Sequence, residues 1–109
     1  MIPALIQRRL PMVHEICRSC RVKTLFLFGS AASPTFQAQS DIDLLVDFEV
    51  GLDPETYTAC YFRLEEKLEE LLNRTIDLTT ERSVRSPYFR MELDRTKVFL
   101  YGAEQVAHG

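Results

Sequence analysis

The segment LFLFGSAASPTFQAQSDIDLLVDF, residues 25–48, limits the possible folds more than any other part of the chain. Residues 22–28 form a short continuous apolar run rich in β-branched and aromatic members, the pattern of a strand buried on both faces. Gly29-Ser30 stops it. Residues 31–40, AASPTFQAQS, are small and polar and predict a loop, with room for one helical turn after Ser30. A second run then alternates: Ile42, Leu44, Val46 and Phe48 point one way, and Asp41, Asp43, Leu45 and Asp47 the other. Only about ten residues separate the two strands, too few for the helical crossover of a doubly wound α/β sheet. The fold class expected is α+β: a small mixed sheet with helices packed mainly on one face.

The rest of the chain supplies those helices. Ile2, Leu5, Ile6, Leu10, Val13, Ile16 and Cys17 recur at helical spacing, with Pro11 either kinking the helix or starting a second piece. GLDPETY is a helix start, with Asp53 as N-cap and Pro54 at N1. Tyr57, Cys60, Tyr61, Leu64, Leu68, Leu71 and Leu72 make its apolar stripe, and Glu65, Glu66, Lys67, Glu69 and Glu70 read as a solvated face. A third strand follows at 75–79, TIDLT. Ser86-Pro87 repeats the capped helix start, and a last strand spans 97–101. Tyr88, Phe89 and Tyr101 read mostly as core, and GAEQVAHG as a frayed tail. No linker or repeat interrupts the 109 residues, which predict one domain over 1–109.

Charge narrows the function classes. Thirteen basic residues against sixteen acidic ones give a net charge of −3, with no Lys/Arg stripe. That argues against direct binding of nucleic acid, which needs cations to displace condensed counterions. No apolar run approaches the roughly 20 residues that span a bilayer, and the first residues lack a signal-peptide pattern. No membrane association and a cytoplasmic location are expected. Cys17-Arg-Ser-Cys20 closes a helical pattern instead of opening one and has no second pair, so buried thiols are expected, not a zinc or redox site.

Two aspartates at the mouth of an apolar strand need a reason, because aspartate is depleted in strands. Asp41 and Asp43, at i and i+2, leave the same face about 6.6 Å apart at the backbone. Their repulsion costs about 2–4 kcal/mol at an effective dielectric of about 20. A divalent cation reverses that sign, and carboxylate oxygens suit Mg²⁺ or Mn²⁺. Asp77 stands opposite Ile76 and Leu78 in its strand. If that strand pairs beside the second, three acids face one ion, the parts required for metal-assisted phosphoryl transfer. Gly29-Ser30 would hold a phosphate from the other side. Asp47, two pleats on, is read as outside the site.

GSAASPTFQAQSDIDLLVDF resembles the signature of the minimal nucleotidyltransferase (MNT) family, within the polymerase-β-like nucleotidyltransferase superfamily. The resemblance extends through TIDLTT to SPYFRMELDRTKVFLYG. It implies a palm-type fold and metal-dependent transfer of a nucleotidyl group from ATP or another nucleoside triphosphate. It implies that Gly29 and Ser30 bind the β/γ phosphates. Asp41 and Asp43 would hold Mg²⁺ or Mn²⁺, and Asp77 would complete the ion site and help deprotonate the acceptor. Small members act as antitoxins beside a HEPN-type partner protein, some adding AMP to a tyrosine of that partner. Two positions depart from the family pattern: Ser33 replaces the usual Arg and Pro34 the usual Gly. The first removes a planar charge suited to phosphate and the second an N–H donor. The competing expectation is therefore a catalytically weak or inactive module that neutralises its partner by contact or senses nucleotide. Oligomer formation is open on either reading.

Overall fold

The computed structural model describes residues 2–32 and 41–102, with the side chains of Ser30 and Ala31 outside that description. Two pieces replace a single N-terminal helix: α1 (Ala4–Gln7) and α2 (Leu10–Ser19), with Pro11 in the first turn of the second. The break is the one proline dictates, since its ring and missing N–H are tolerated only in a first turn. Arg21, at φ +60°, turns the chain into β1 (Val22–Phe28), and a short 3₁₀ turn, Gly29–Ala32, follows. After β2 (Ile42–Phe48), α3 (Pro54–Leu72) starts at Asp53, whose carboxylate accepts the Thr56 N–H at 3.2 Å and the Thr56 hydroxyl at 2.6 Å. It ends at Asn73 in the left-handed region, φ +54°, whose N–H reaches Glu69 O at 2.8 Å. Then come β3 (Ile76–Thr80), a 3₁₀ turn at Glu81–Ser83, α4 (Pro87–Thr96, capped by Ser86) and β4 (Val98–Gly102).

The sheet is mixed, in the order β3-β2-β1-β4. β1 pairs antiparallel with both β2 and β4, while β2 and β3 run parallel. The α+β expectation is met. The main core lies on one face, where Leu25 and Leu27 of β1 and Ile42, Leu44, Val46 and Phe48 of β2 meet Val13 and Cys17 of α2 and the Cys60, Leu64, Leu68, Leu72 stripe of α3. Each fully buried Leu or Ile here contributes up to about 1.5–3 kcal/mol.

Among the described residues, α4 is the helix on the second face. Phe28 alternates with Leu27, so it points away from the main core, and its ring meets that of Phe89 on α4 at 6.0 Å and 68°. Leu45 and Leu93, both buried, sit outside the main cluster for the same reason. Lys97 tops the Phe26 ring at 4.4 Å on this face and bonds Asp94 at 3.0 Å. Two expectations need correction. Tyr88 and Phe89, read as core, are 83% and 40% exposed, because both lie in the exposed first turn of α4. Glu69, placed on the solvated face, is half-buried: its carboxylate accepts the Ile76 N–H at 3.1 Å and secures the start of β3.

The cysteines behave as small apolar side chains. All three are free and buried, and burial pushes the Cys17 thiol up to about 12. Among the described residues no helix is long and apolar enough to cross a membrane. Gly102, read as the start of the tail, closes β4; residues 103–109 and the Ser33 and Pro34 positions lie outside the described residues.

Candidate active site

The site forms where three neighbouring chain segments end at the same edge of the sheet. β1 delivers Phe28 opposite Asp43 of β2, and the parallel register sets Asp43 opposite Asp77 of β3. Ile42 N–H bonds Thr75 O at 3.0 Å and Glu69 secures Ile76, so the register is held from both strands next to the acids. Tyr61 of α3 adds a third tie, donating its hydroxyl to Leu78 O at 2.9 Å. Asp41 is exposed and immediately precedes β2, two residues before Asp43.

Gly29 is shaped by Asp43. The chain turns there with φ +67°, and a Cβ at this position would lie 2.4 Å from Asp43 Oδ2. The Asp43 carboxylate occupies the space that any side chain at position 29 would need. Glycine is required twice, for backbone sign and for room.

Electrostatics mark the same place. Burial pushes the Asp43 carboxyl above its ordinary value, and the charges of Asp77 and Asp41 push it in the same direction. A hydrogen bond with Asp77 adds to the shift by favouring the protonated form. All the charges named in this shift are acids. Such mutual repulsion is what a bound cation relieves. The donors are hard carboxylate oxygens, and Mg²⁺ is commonly held by one or two of them together with phosphate oxygens and water. The residues therefore fit such an ion chemically. They do not yet form a closed cage: among the described residues no group of three His, Cys, Asp or Glu side chains is gathered closely enough to hold a metal. The structure brings Asp43 and Asp77 together and leaves Asp41 at the rim. Asp47, opposite Thr24 in the sheet, lies away from them.

Helix α4 walls the site on the second face. Arg90 anchors it to the 3₁₀ turn that follows β3, with Nη1 2.8 Å from Glu81 Oε1 and Nη2 donating to Glu81 O at 3.2 Å. Between α4 and the 3₁₀ turn opens a cavity of about 500 Å³, with Phe28, Gly29 and Ala32 on one side and Phe89, Leu93 and Thr96 on the other. Neither it nor Glu69 was legible in the sequence. Phe89 read as core, Leu93 only as a helix residue, and Glu69 as one acid among many.

A family model described as "Polymerase beta, Nucleotidyltransferase" matches residues 12–105. A protein of Methanocaldococcus jannaschii named "Putative protein adenylyltransferase" is 32% identical over 80 residues, covering 73% of this chain and 78% of the relative. A solved structure described as "Structure of putative minimal nucleotidyltransferase" superposes with a TM-score of 0.73 at 30% identity, covering 90% of this chain and 95% of that one. Another, described as "Crystal structure of the toxin-antitoxin with AMP-PNP", superposes with a TM-score of 0.67 at 26% identity, over 88% and 75% of the two chains.

Proposed function

Because the chain belongs to the polymerase-β nucleotidyltransferase family and is an enzyme of that class, we propose that it moves AMP from ATP to a hydroxyl of a partner protein. The partner is a HEPN-type toxin, for which this chain serves as antitoxin in the cytoplasm. The observation that carries the reading is the pairing of Asp43 with Asp77 beside Gly29. The similar toxin–antitoxin structure holding an ATP analogue supports both the donor and the setting.

In this reading Asp41, Asp43 and Asp77 hold Mg²⁺ or Mn²⁺, with Asp43 and Asp77 as the central pair. The bound ion supplies neutralising charge for the phosphate oxygens. Gly29 and Ser30 lie along the β/γ phosphates, since the turn there brings backbone N–H groups close without a side chain in between. Asp77, exposed on the outer strand, faces the side from which an acceptor can approach. It takes the proton as the acceptor oxygen bonds to the α-phosphorus. The bond from that phosphorus to the β-phosphate oxygen breaks, and pyrophosphate leaves.

The competing reading is neutralisation by contact. Ser33, Pro34 and the ungathered position of Asp41 favour it. Incubation with labelled ATP, Mg²⁺ and the protein encoded by the adjacent gene separates the two. Transfer that vanishes in Asp41→Asn and Asp43→Asn is the expected result. Complete neutralisation by those variants, with no label transferred by the unaltered protein, would establish contact alone.

A further inference from the structure

We propose that Glu69 and Tyr61 of α3 are positioning residues: they close the outer edge of β3 on both sides of Asp77 and fix where its carboxylate stands. This rests on the nucleotidyl-transfer reading, in which Asp77 helps hold the ion and takes the acceptor proton. It adds to that reading two residues that do neither.

Asp77 sits on an outer strand. In the order β3-β2-β1-β4, β3 has one strand neighbour, β2. A strand held by one ladder leaves alternate backbone groups without a partner in the sheet. The register identifies them. Ile42 N–H bonds Thr75 O, and Asp77 stands opposite Asp43 in the parallel pairing. Backbone direction alternates along a strand, so Thr75, Asp77 and Thr79 turn their N–H and C=O groups toward β2. Ile76 and Leu78, the two neighbours of Asp77, turn theirs outward.

Those outward groups are the ones α3 takes. The Glu69 carboxylate accepts the Ile76 N–H at 3.1 Å, and the Tyr61 hydroxyl donates to Leu78 O at 2.9 Å. Residues 73–75 alone join α3 to β3, so the chain turns straight back and the later helix residue meets the earlier strand residue. The support is rigid. Leu64 and Leu68, between the two residues, are fully buried, and Tyr61 packs against the same core. Burial first, then the charges of Glu65 and Asp77, push the Tyr61 hydroxyl above its ordinary value, so it keeps its proton and donates at neutral pH. Ile76 and Leu78 are buried and Asp77 is exposed between them. The backbone from which its carboxylate projects is therefore tied on both sides, by hydrogen bonds and not by charge.

Four variants of the full chain test this. Glu69→Ala removes the acceptor. Glu69→Gln keeps an oxygen for the Ile76 N–H and removes the charge. Tyr61→Phe removes the hydroxyl alone, and Glu66→Ala removes an exposed acid one turn earlier on α3. Label transfer to the protein encoded by the adjacent gene gives kcat and KM for ATP. Glu69→Ala and Tyr61→Phe should each lower kcat by about 10–100-fold and leave KM within about threefold. Titration of the nucleotide-free proteins with Mn²⁺ alone, followed by electron paramagnetic resonance, should show each of the two binding about tenfold more weakly. Amide exchange without metal should show the Ile76 N–H losing protection by about tenfold in Glu69→Ala. Glu69→Gln should restore all three readings, and Glu66→Ala should match the unaltered protein.

A purely structural role would lower Tm by about 4–8 °C and leave kcat and the Mn²⁺ Kd of the folded protein unchanged. That result in either folded variant, Glu69→Ala or Tyr61→Phe, would overturn the proposal. So would a Glu69→Gln protein as impaired as Glu69→Ala, which would assign the effect to charge. Should Glu69→Ala fail to fold, Tyr61→Phe carries the same prediction by itself. An unaltered protein that neither binds Mn²⁺ nor transfers label would instead remove the nucleotidyl-transfer reading, and the positioning role with it.

Discussion

Replacing Gly29 by alanine tests the geometry on which the site depends. The new Cβ would lie 2.4 Å from Asp43 Oδ2, against about 3.4 Å for ordinary contact, so the carboxylate must withdraw by about 1 Å. Driving Asp43 off its rotamer costs about 0.5–1.5 kcal/mol. The left-handed backbone, φ +67°, adds about 1–2 kcal/mol for any residue with a Cβ. Gly51 provides the control. It has φ +87° and nothing within 4 Å of its own virtual Cβ, so Gly51→Ala bears the backbone cost alone. The expected difference between the two variants is about 1 kcal/mol, or roughly 4–8 °C in Tm for a domain of this size. On the proposed reading, in which Asp43 helps hold the ion, Gly29→Ala should also lose about 10²-fold in nucleotidyl transfer. Gly51→Ala should keep its activity. The decisive measurement is a thermodynamic cycle by denaturant unfolding. In an Asp43→Ala background the clash is gone, and Gly29→Ala should cost no more than Gly51→Ala. An excess that persists without the Asp43 carboxylate would refute the close-approach account.

Asp43→Asn should stabilise the metal-free protein at neutral pH. Burial, followed by Asp77 and Asp41, raises the folded-state pKa of Asp43, so its ionisation opposes folding. The penalty is absent below the unfolded value of about 3.9 and grows as pH rises through the folded one. The Asn variant should therefore gain in Tm over the unaltered chain as pH climbs from about 4 to 7. Only the unaltered chain should be stabilised further by Mg²⁺ with ATP. A pH-independent offset would count against this. Leu68→Ala, at a fully buried position of the α3 stripe, should lose about 2–5 kcal/mol in urea unfolding. Phe62→Ala, 59% exposed on the same helix, should change stability by less than about 0.5 kcal/mol. Cys17, with its thiol raised to about 12, should resist iodoacetamide at pH 8 until the chain is unfolded; rapid labelling of the native protein would contradict its burial.

The amino-acid sequence by itself determined what depends on neighbours along the chain. Proline at position 11 breaks the first helix, Asp53 and Ser86 start two others, and alternation sorts Asp43 from Leu44 onto opposite faces. These are consequences of local geometry, a missing N–H, a side-chain cap and a two-residue period, and such signals survive in one dimension. The tertiary structure alone decided which strand lies beside which. Nothing in TIDLT states that Asp77 will stand opposite Asp43, because parallel pairing joins residues separated by an entire helix and is chosen by how that helix packs. The same holds for α4, whose ten residues read as an ordinary capped helix yet cover the second face and enclose a cavity there. It holds for Glu69, indistinguishable from its acidic neighbours until the end of α3 meets the Ile76 N–H. Side-chain periodicity records a face, whereas a site is a meeting of faces, and only packing energy fixes which ones meet.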